Sequence, residues 1–240
     1  MRLLTVALSC VAMLACATSV TAQEKSSKKT ADVEEGFNAI FNGKDLDGWK
    51  GNTDLWSVED GLITGRTTAE KPLQFNTFLI YANGPVANFE LRLDYKIEAG
   101  NSGIQYRSKV IDEEKFIVGG YQADMEAGPT YTGINYEERG RGILAERGQR
   151  VTVAADGSKA VEKFGERDAL AKKLNAAGWN HYRVVANGNK LSHYINDQLM
   201  SEVIDNQEDK AATSGVLAFQ IHQGPPMVVQ FKNVRIKTLD

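Results

Sequence analysis

Between residues 91 and 100 the chain reads LRLDYKIEAG. In an extended strand Leu91, Leu93, Tyr95 and Ile97 share one face, and Arg92, Asp94, Lys96 and Glu98 the other. Such strict alternation predicts a half-buried antiparallel strand. HYRVVANGNKLSHYIND (181–197) repeats the pattern on both sides of Asn187-Gly188-Asn189, residues that tolerate positive φ, which predicts a hairpin. A second turn is expected at Asn196-Asp197, before LMSEVI. Further strands are predicted in 55–65 around an Asp60-Gly61 turn, and in 77–82, 103–110, 116–125, 149–155, 215–223 and 227–239. Helical spacing is confined to ERDALAKKLN (166–175), where Leu170 and Leu174 stand four apart. Short strands punctuated by Gly, Asn and Asp, with no alternation of strand and helix, predict one all-β sandwich or jelly roll.

The first residues depart from this pattern. Met1-Arg2, an apolar stretch from Leu3 to about Ala17 and the small-residue exit Val20-Thr21-Ala22 have the layout of a secretory signal peptide cleaved after Ala22. The stretch is too short and wrongly flanked for a transmembrane anchor; a lipid anchor on Cys16 is the alternative processing. Both cysteines, Cys10 and Cys16, fall in this leader, so the exported chain has no thiol for a disulfide, a zinc-thiolate site or a cysteine nucleophile. Residues 23–35 are polar and charged and are expected to be a disordered linker, leaving 36–240 as the domain. With 28 Lys+Arg against 31 Asp+Glu the net charge is −3, and the leader's only charge is Arg2. A mildly acidic body argues against nucleic acid or an anionic membrane surface as partner.

Chemistry is sparse by motif. The chain has no GxSxG, HExxH, P-loop or GxGxxG pattern. Its three histidines are His181 and His193, on two arms of one hairpin and expected to be structural, and His222. What remains is a set of polar faces. In NSGIQYRS (101–108), Asn101, Gly103, Gln105 and Arg107 share parity. In GGYQADMEAG (119–128), Gln122 and Asp124 do, while Glu126 falls where Ala127-Gly128-Pro129 ends the strand. YTGINYEERGRGILAERG (131–148) reads as a glycine-punctuated loop carrying Tyr136, Glu137, Arg139 and Arg141. In AFQIHQG (218–224), Gln220 and His222 face together. Each of these alone is an ordinary solvated face. Together, amides, carboxylates, guanidinium groups and an imidazole are what a sugar demands, since every hydroxyl needs both a donor and an acceptor.

The motifs GFNAIFNGKDLDGWKG (36–51), LWSVEDGLITG, NSGIQYRS, GYQADME, YTGINYEERGRG, GWNHYRVVANGNKLSHYIND and FKNVRIK, in this order across 36–240, resemble the 3-keto-disaccharide hydrolase domain family. The resemblance implies a concanavalin A-like jelly-roll sandwich of two curved antiparallel sheets with a carbohydrate site on the concave face. It implies an exported bacterial enzyme acting on glycosides or oligosaccharides oxidised to a ketone at C3, by hydrolysis or by 1,2-elimination followed by hydration.

Such a ketone acidifies the hydrogen on C2. The reaction then needs a base, a stabiliser for the enolate oxygen and an acid for the leaving group, but no covalent nucleophile. The expected roles are Asp124 or His222 as base, Glu137 as partner acid, and Arg107 or Arg139 at the enolate or ketone oxygen. Asn101, Gln105, Gln122 and Tyr136 are expected to bind hydroxyls. No cofactor is required, although a divalent metal held by Asp124, Glu137 and His222 could replace the arginine. Two other function classes stand beside this one: a non-catalytic carbohydrate-binding module of the same fold, and an adhesion domain of the laminin-G kind, in which the polar side chains would not converge.

Overall fold

The computed structural model describes residues 34–240. The expected signal peptide, both cysteines and most of the expected linker lie outside the described residues. Where the description begins, Glu34 already holds the Arg92 guanidinium at 2.6 Å.

The body is built almost wholly of strands: β1 (Asn38–Ala39), β2 (Trp49–Lys50), β3 (Trp56–Glu59), β4 (Leu62–Arg66), β5 (Thr77–Tyr81), β6 (Phe89–Ala99), β7 (Asn101–Asp112), β8 (Ile117–Glu126), β9 (Asn135–Glu138), β10 (Gly142–Ala145), β11 (Gln149–Val153), β12 (Lys159–Lys163), β13 (Asn180–Asn187), β14 (Lys190–Ile195), β15 (Gln198–Asp205), β16 (Val216–Ile221) and β17 (Val228–Thr238). One sheet runs β12-β11-β15-β14-β13-β6-β17-β4-β3, with β1 also on β17, and the other runs β10-β9-β8-β7-β16-β5-β2. All pairings are antiparallel except β11 with β15. The expected jelly-roll sandwich is thereby observed.

The pattern in 89–99 is realised residue by residue: Phe89, Leu91, Leu93, Tyr95 and Ile97 are buried and the residues between them are half-buried. The hairpin of β13 and β14 turns at Gly188, and Asn196 and Asp197 both have positive φ. Two elements differ from expectation. The helix shortens to Arg167–Ala171, with only Leu170 buried, and the chain leaves it through i→i+3 bonds from Lys173 to Leu170 and from Leu174 to Ala171. Strand β12 carried no signal because all five of its residues are exposed, so no face had to be apolar.

The core lies between the sheets, where Ile104, Tyr106, Tyr121, Ala123 and Met125 of one meet Leu91, Leu93, Val184 and Phe231 of the other. Phe219 and Phe231 stack across it at 4.1 Å. The alternate residues of β7 and β8 therefore point away from the core, onto the outer face of the smaller sheet. That sheet curls over this face. β5 and β9 are separated by three strands, about 19 Å if the sheet were flat, yet Asn76, just before β5, donates to the Glu138 carboxylate of β9 at 3.1 Å. Phe78 in β5 likewise donates its backbone N–H to Phe116 at the turn between β7 and β8.

Candidate functional site

The curl makes a pocket of about 450 Å³ lined by Asn76, Asn101, Gln122, Asp124, Tyr131, Ile134, Tyr136, Glu138, Ile143, His222 and Gln223. Its floor comes from β7 and β8, whose register sets Gln105 against Gln122 and Gly103 against Asp124. One wall is β9, where Tyr136 pairs with Gln122 and so faces the same way. The other is the chain leaving β16, where Gln223 donates its backbone N–H to the Asn76 side chain.

Asp124 is the central group. It is 5 % exposed, and one carboxylate oxygen accepts from Gln122 Nε2 at 2.6 Å while the other accepts from Asn101 Nδ2 at 3.5 Å. Burial pushes its pKa up to about 8, with further upward pressure from Glu126 and Glu138, and the two amide donors only partly oppose this. A carboxyl group in this setting releases its proton reluctantly and, once ionised, is a stronger base than an ordinary aspartate. Burial, together with the charges of Glu138 and Asp124, also raises the Tyr136 hydroxyl.

The structure brings Asp124, His222, Asn101, Gln122 and Tyr136 to one pocket and sends the other expected residues elsewhere. Gln105 is on the correct face but lies fully buried beneath it, donating to Gln122 Oε1 at 2.7 Å. Arg107 leaves the face because β7 bulges there. Two residues, Arg107 and Ser108, stand opposite Gly120, and Arg107 takes a left-handed φ of 48°, so the strand's parity changes. The residue is 2 % exposed, and its guanidinium donates to the carbonyls of Ala87, Gly188 and Ala212 and to Asn88 Oδ1. It is a clamp between loops, away from the pocket.

Glu137 is also turned away. Residues 135–145, expected as a loop, form the hairpin of β9 and β10, and Glu137 lies opposite Tyr121 on the face that carries the core. There it meets Arg141, which reaches Asp205 as well, both at 2.6 Å. Arg139 sits exposed at the hairpin tip with a φ of 57° and does not line the pocket. Among the described residues, no lysine or arginine lines it. Because Glu137 is held by Arg141 away from Asp124 and His222, the alternative metal set is not assembled, and among the described residues no three His, Cys, Asp or Glu side chains are grouped to hold an ion.

Glu138 takes the place expected of Glu137, one residue along. Glu126, at the end of β8, binds the backbone N–H groups of Thr130 and Tyr131 and shapes the turn beyond the floor. His193 is buried between the sheets, where Tyr106 donates to its Nε2 and its Nδ1 donates to the Ile134 carbonyl. His181 pairs with Asp94 at 3.0 Å. The residues missed by sequence are Asn76, Tyr131, Ile134, Glu138, Ile143 and Gln223. For Glu138 the signal was the frame of NYEE, readable once β9 is taken as a strand; the others come from segments that meet only through the curl.

The family model for the 3-keto-α-glucoside-1,2-lyase-like domain matches residues 36–237, nearly the whole described body and the polar strands of the pocket with it. The chain belongs to this family. A 3-keto-disaccharide hydrolase of Bacteroides thetaiotaomicron is 33% identical to this chain over 101 residues. That match takes in 39% of this chain and 34% of the relative, so the chain spans about a third of that relative's length. A provisionally named glycosyl hydrolase of Parabacteroides distasonis superposes with a TM-score of 0.52 at 24% identity, over 86% of this chain and 95% of its own. A carbohydrate binding module of Bacillus subtilis gives 0.53 at 15% identity, over 80% and 96%. At these identities the solved structures speak for the shared sandwich fold alone.

Proposed function

We propose that this protein is an exported enzyme that cleaves glycosides carrying a ketone at C3 of the sugar, by 1,2-elimination with Asp124 as base. The observation that carries the reading is a buried carboxylate of raised proton affinity on the floor of a pocket otherwise lined by amides, hydroxyls and an imidazole. Ionised Asp124 removes the proton on C2, and its electron pair forms the enolate with the C3 oxygen. Collapse of the enolate makes the C1–C2 double bond and breaks the bond from C1 to the aglycone oxygen, which takes a proton. Water adding across that double bond gives net hydrolysis. Tyr136 and His222 are the donors assigned to the enolate and leaving oxygens, and Glu138 is the second carboxyl able to move a proton.

The test is incubation of the wild type and Asp124→Asn with a 3-keto-glucoside and with its unoxidised parent. Release of free 3-keto sugar, or of the unsaturated 2-hydroxy ketone, is expected from the oxidised compound and the wild type alone. Tight binding with no release would instead favour the carbohydrate-binding module. Equal cleavage of the unoxidised parent would remove the ketone from the mechanism.

A further inference from the structure

Beneath the pocket floor a row of side chains runs away from Asp124. Ser108 Oγ donates to Gln105 Oε1 at 2.6 Å. Gln105 Nε2 donates to Gln122 Oε1 at 2.7 Å, and Gln122 Nε2 donates to Asp124 Oδ1 at 2.6 Å. Ser108, Gln105 and Gln122 are each at most 2 % exposed. Every donor points toward the carboxylate. An amide can be reversed end for end with little change of shape, so its direction must be set by a neighbour. Here both ends of the row set it: the carboxylate, which only accepts, holds the NH₂ group of Gln122, and the Ser108 hydroxyl anchors the far end by donating to Gln105 Oε1 at 2.6 Å rather than to the more distant carbonyls of Tyr106 and Tyr121, at 3.1 and 3.4 Å.

We propose that Ser108 and Gln105 are positioning residues for Asp124: they fix the Gln122 amide with its NH₂ group toward the carboxylate and so hold that group ready to take a proton. This rests on the reading of Asp124 as the base. Two local features build the row. The bulge that turns Arg107 off the face brings Ser108 beside Gln105, and it requires Gly120 opposite, where a Cβ would stand 2.5 Å from Ser108 Oγ at a φ of 145°. Gly103 leaves room for the Gln122 side chain, since a Cβ there would lie 2.4 Å from Gln122 Cδ.

The other groups that bear on Asp124 are distinct from this row. They are Glu126 on its own strand, Tyr136 and Glu138 on β9, Tyr182 from β13 across the core, and Tyr131 and His222 at the rim. All stay in place when Ser108 or Gln105 is changed. Gln105→Glu is the most pointed variant, because a carboxylate only accepts. Gln122 must then turn its NH₂ group toward residue 105 and present its carbonyl to Asp124.

The experiment is the pH profile of kcat and KM on a 3-keto-glucoside for the wild type, Ser108→Ala, Gln105→Met, Gln105→Glu and Asp124→Asn, with circular dichroism for folding. The rising limb is expected to move to higher pH in the three row variants, by about one unit in Gln105→Glu, lowering kcat near pH 7 about tenfold with KM little changed. If the limb and kcat stay at wild-type values while Asp124→Asn is inactive, the row does not position the base and the proposal is overturned, with the base reading intact. If Asp124→Asn turns over normally, the base reading fails first. Ser108→Ala removes one oxygen atom and decides the matter should either Gln105 variant not fold.

Discussion

Asp124→Asn is expected to abolish turnover and at the same time to stabilise the fold, by an amount that depends on pH. The carboxyl has an ordinary value of 3.8 and is raised to about 8 in the folded protein. The folded state thus holds this proton more tightly than the unfolded chain. Its contribution is fully present below about pH 4 and is lost as pH rises through about 8. At pH 7 the unfolded carboxyl is ionised and the folded one is mostly not, which sets a ceiling of about 4 kcal/mol on the cost of keeping Asp124 buried. Relaxation and water penetration reduce such burial costs, so a gain of about 2 kcal/mol is expected for asparagine at pH 7. Asparagine is neutral, still accepts from Gln122 through its carbonyl, and forgoes only the 3.5 Å contact with Asn101. With an m-value of about 2 kcal/mol per molar urea, the midpoint should rise by about 1 M at pH 7 and hardly at all at pH 4. Urea unfolding followed by the fluorescence of buried Trp56 at pH 4, 5.5, 7 and 8.5 measures this. A difference between the two proteins that does not grow with pH would refute the reasoning, because it would mean that the carboxyl ionises normally in the fold.

Three further expectations separate structure from chemistry. Arg107→Met should cost about 3 kcal/mol in urea unfolding, since it orphans carbonyls that the buried guanidinium satisfies, while leaving kcat near the wild-type value at temperatures where the variant is folded; a kinetic defect without a stability defect would contradict the loop-clamp role. Glu138→Gln should lower kcat about tenfold or more, whereas Glu137→Gln should lower stability through the loss of its link to Arg141, and steady-state kinetics with thermal melts would expose the reverse assignment. Burial lowers the pKa of His193 to about 3, so stability falls as pH drops from about 6.5 toward 3; His193→Gln, though weaker overall, should lose that acid slope, and an unchanged slope in acid unfolding would exclude His193 as its source.

The sandwich was legible wherever one face of a strand had to be dry. Phe89 to Ile97 alternates because it separates core from solvent, and GGYQADMEAG showed Gln122 and Asp124 together for the same reason. The site was legible only along single strands. Arg107 was misplaced because parity counts residues and the bulge adds one. Glu137 and Glu138 were exchanged because NYEE is short, its residues are mostly half-buried, and its frame is set by pairing with Gln122 rather than by any pattern of its own. Asn76 and Gln223 were invisible because the curl that brings them over Asp124 belongs to the whole sheet.

On β8, Tyr121, Ala123 and Met125 are packed into the core, while Gln122 and Asp124 between them face the pocket. Folding and chemistry are thus written in interleaved letters of one word. A lineage can rewrite the even letters, trading one substrate for another, while the odd letters go on specifying the same sandwich. The liberty ends at the bulge in β7, where a single deletion would shift the letters into the wrong rows and cost the protein both at once.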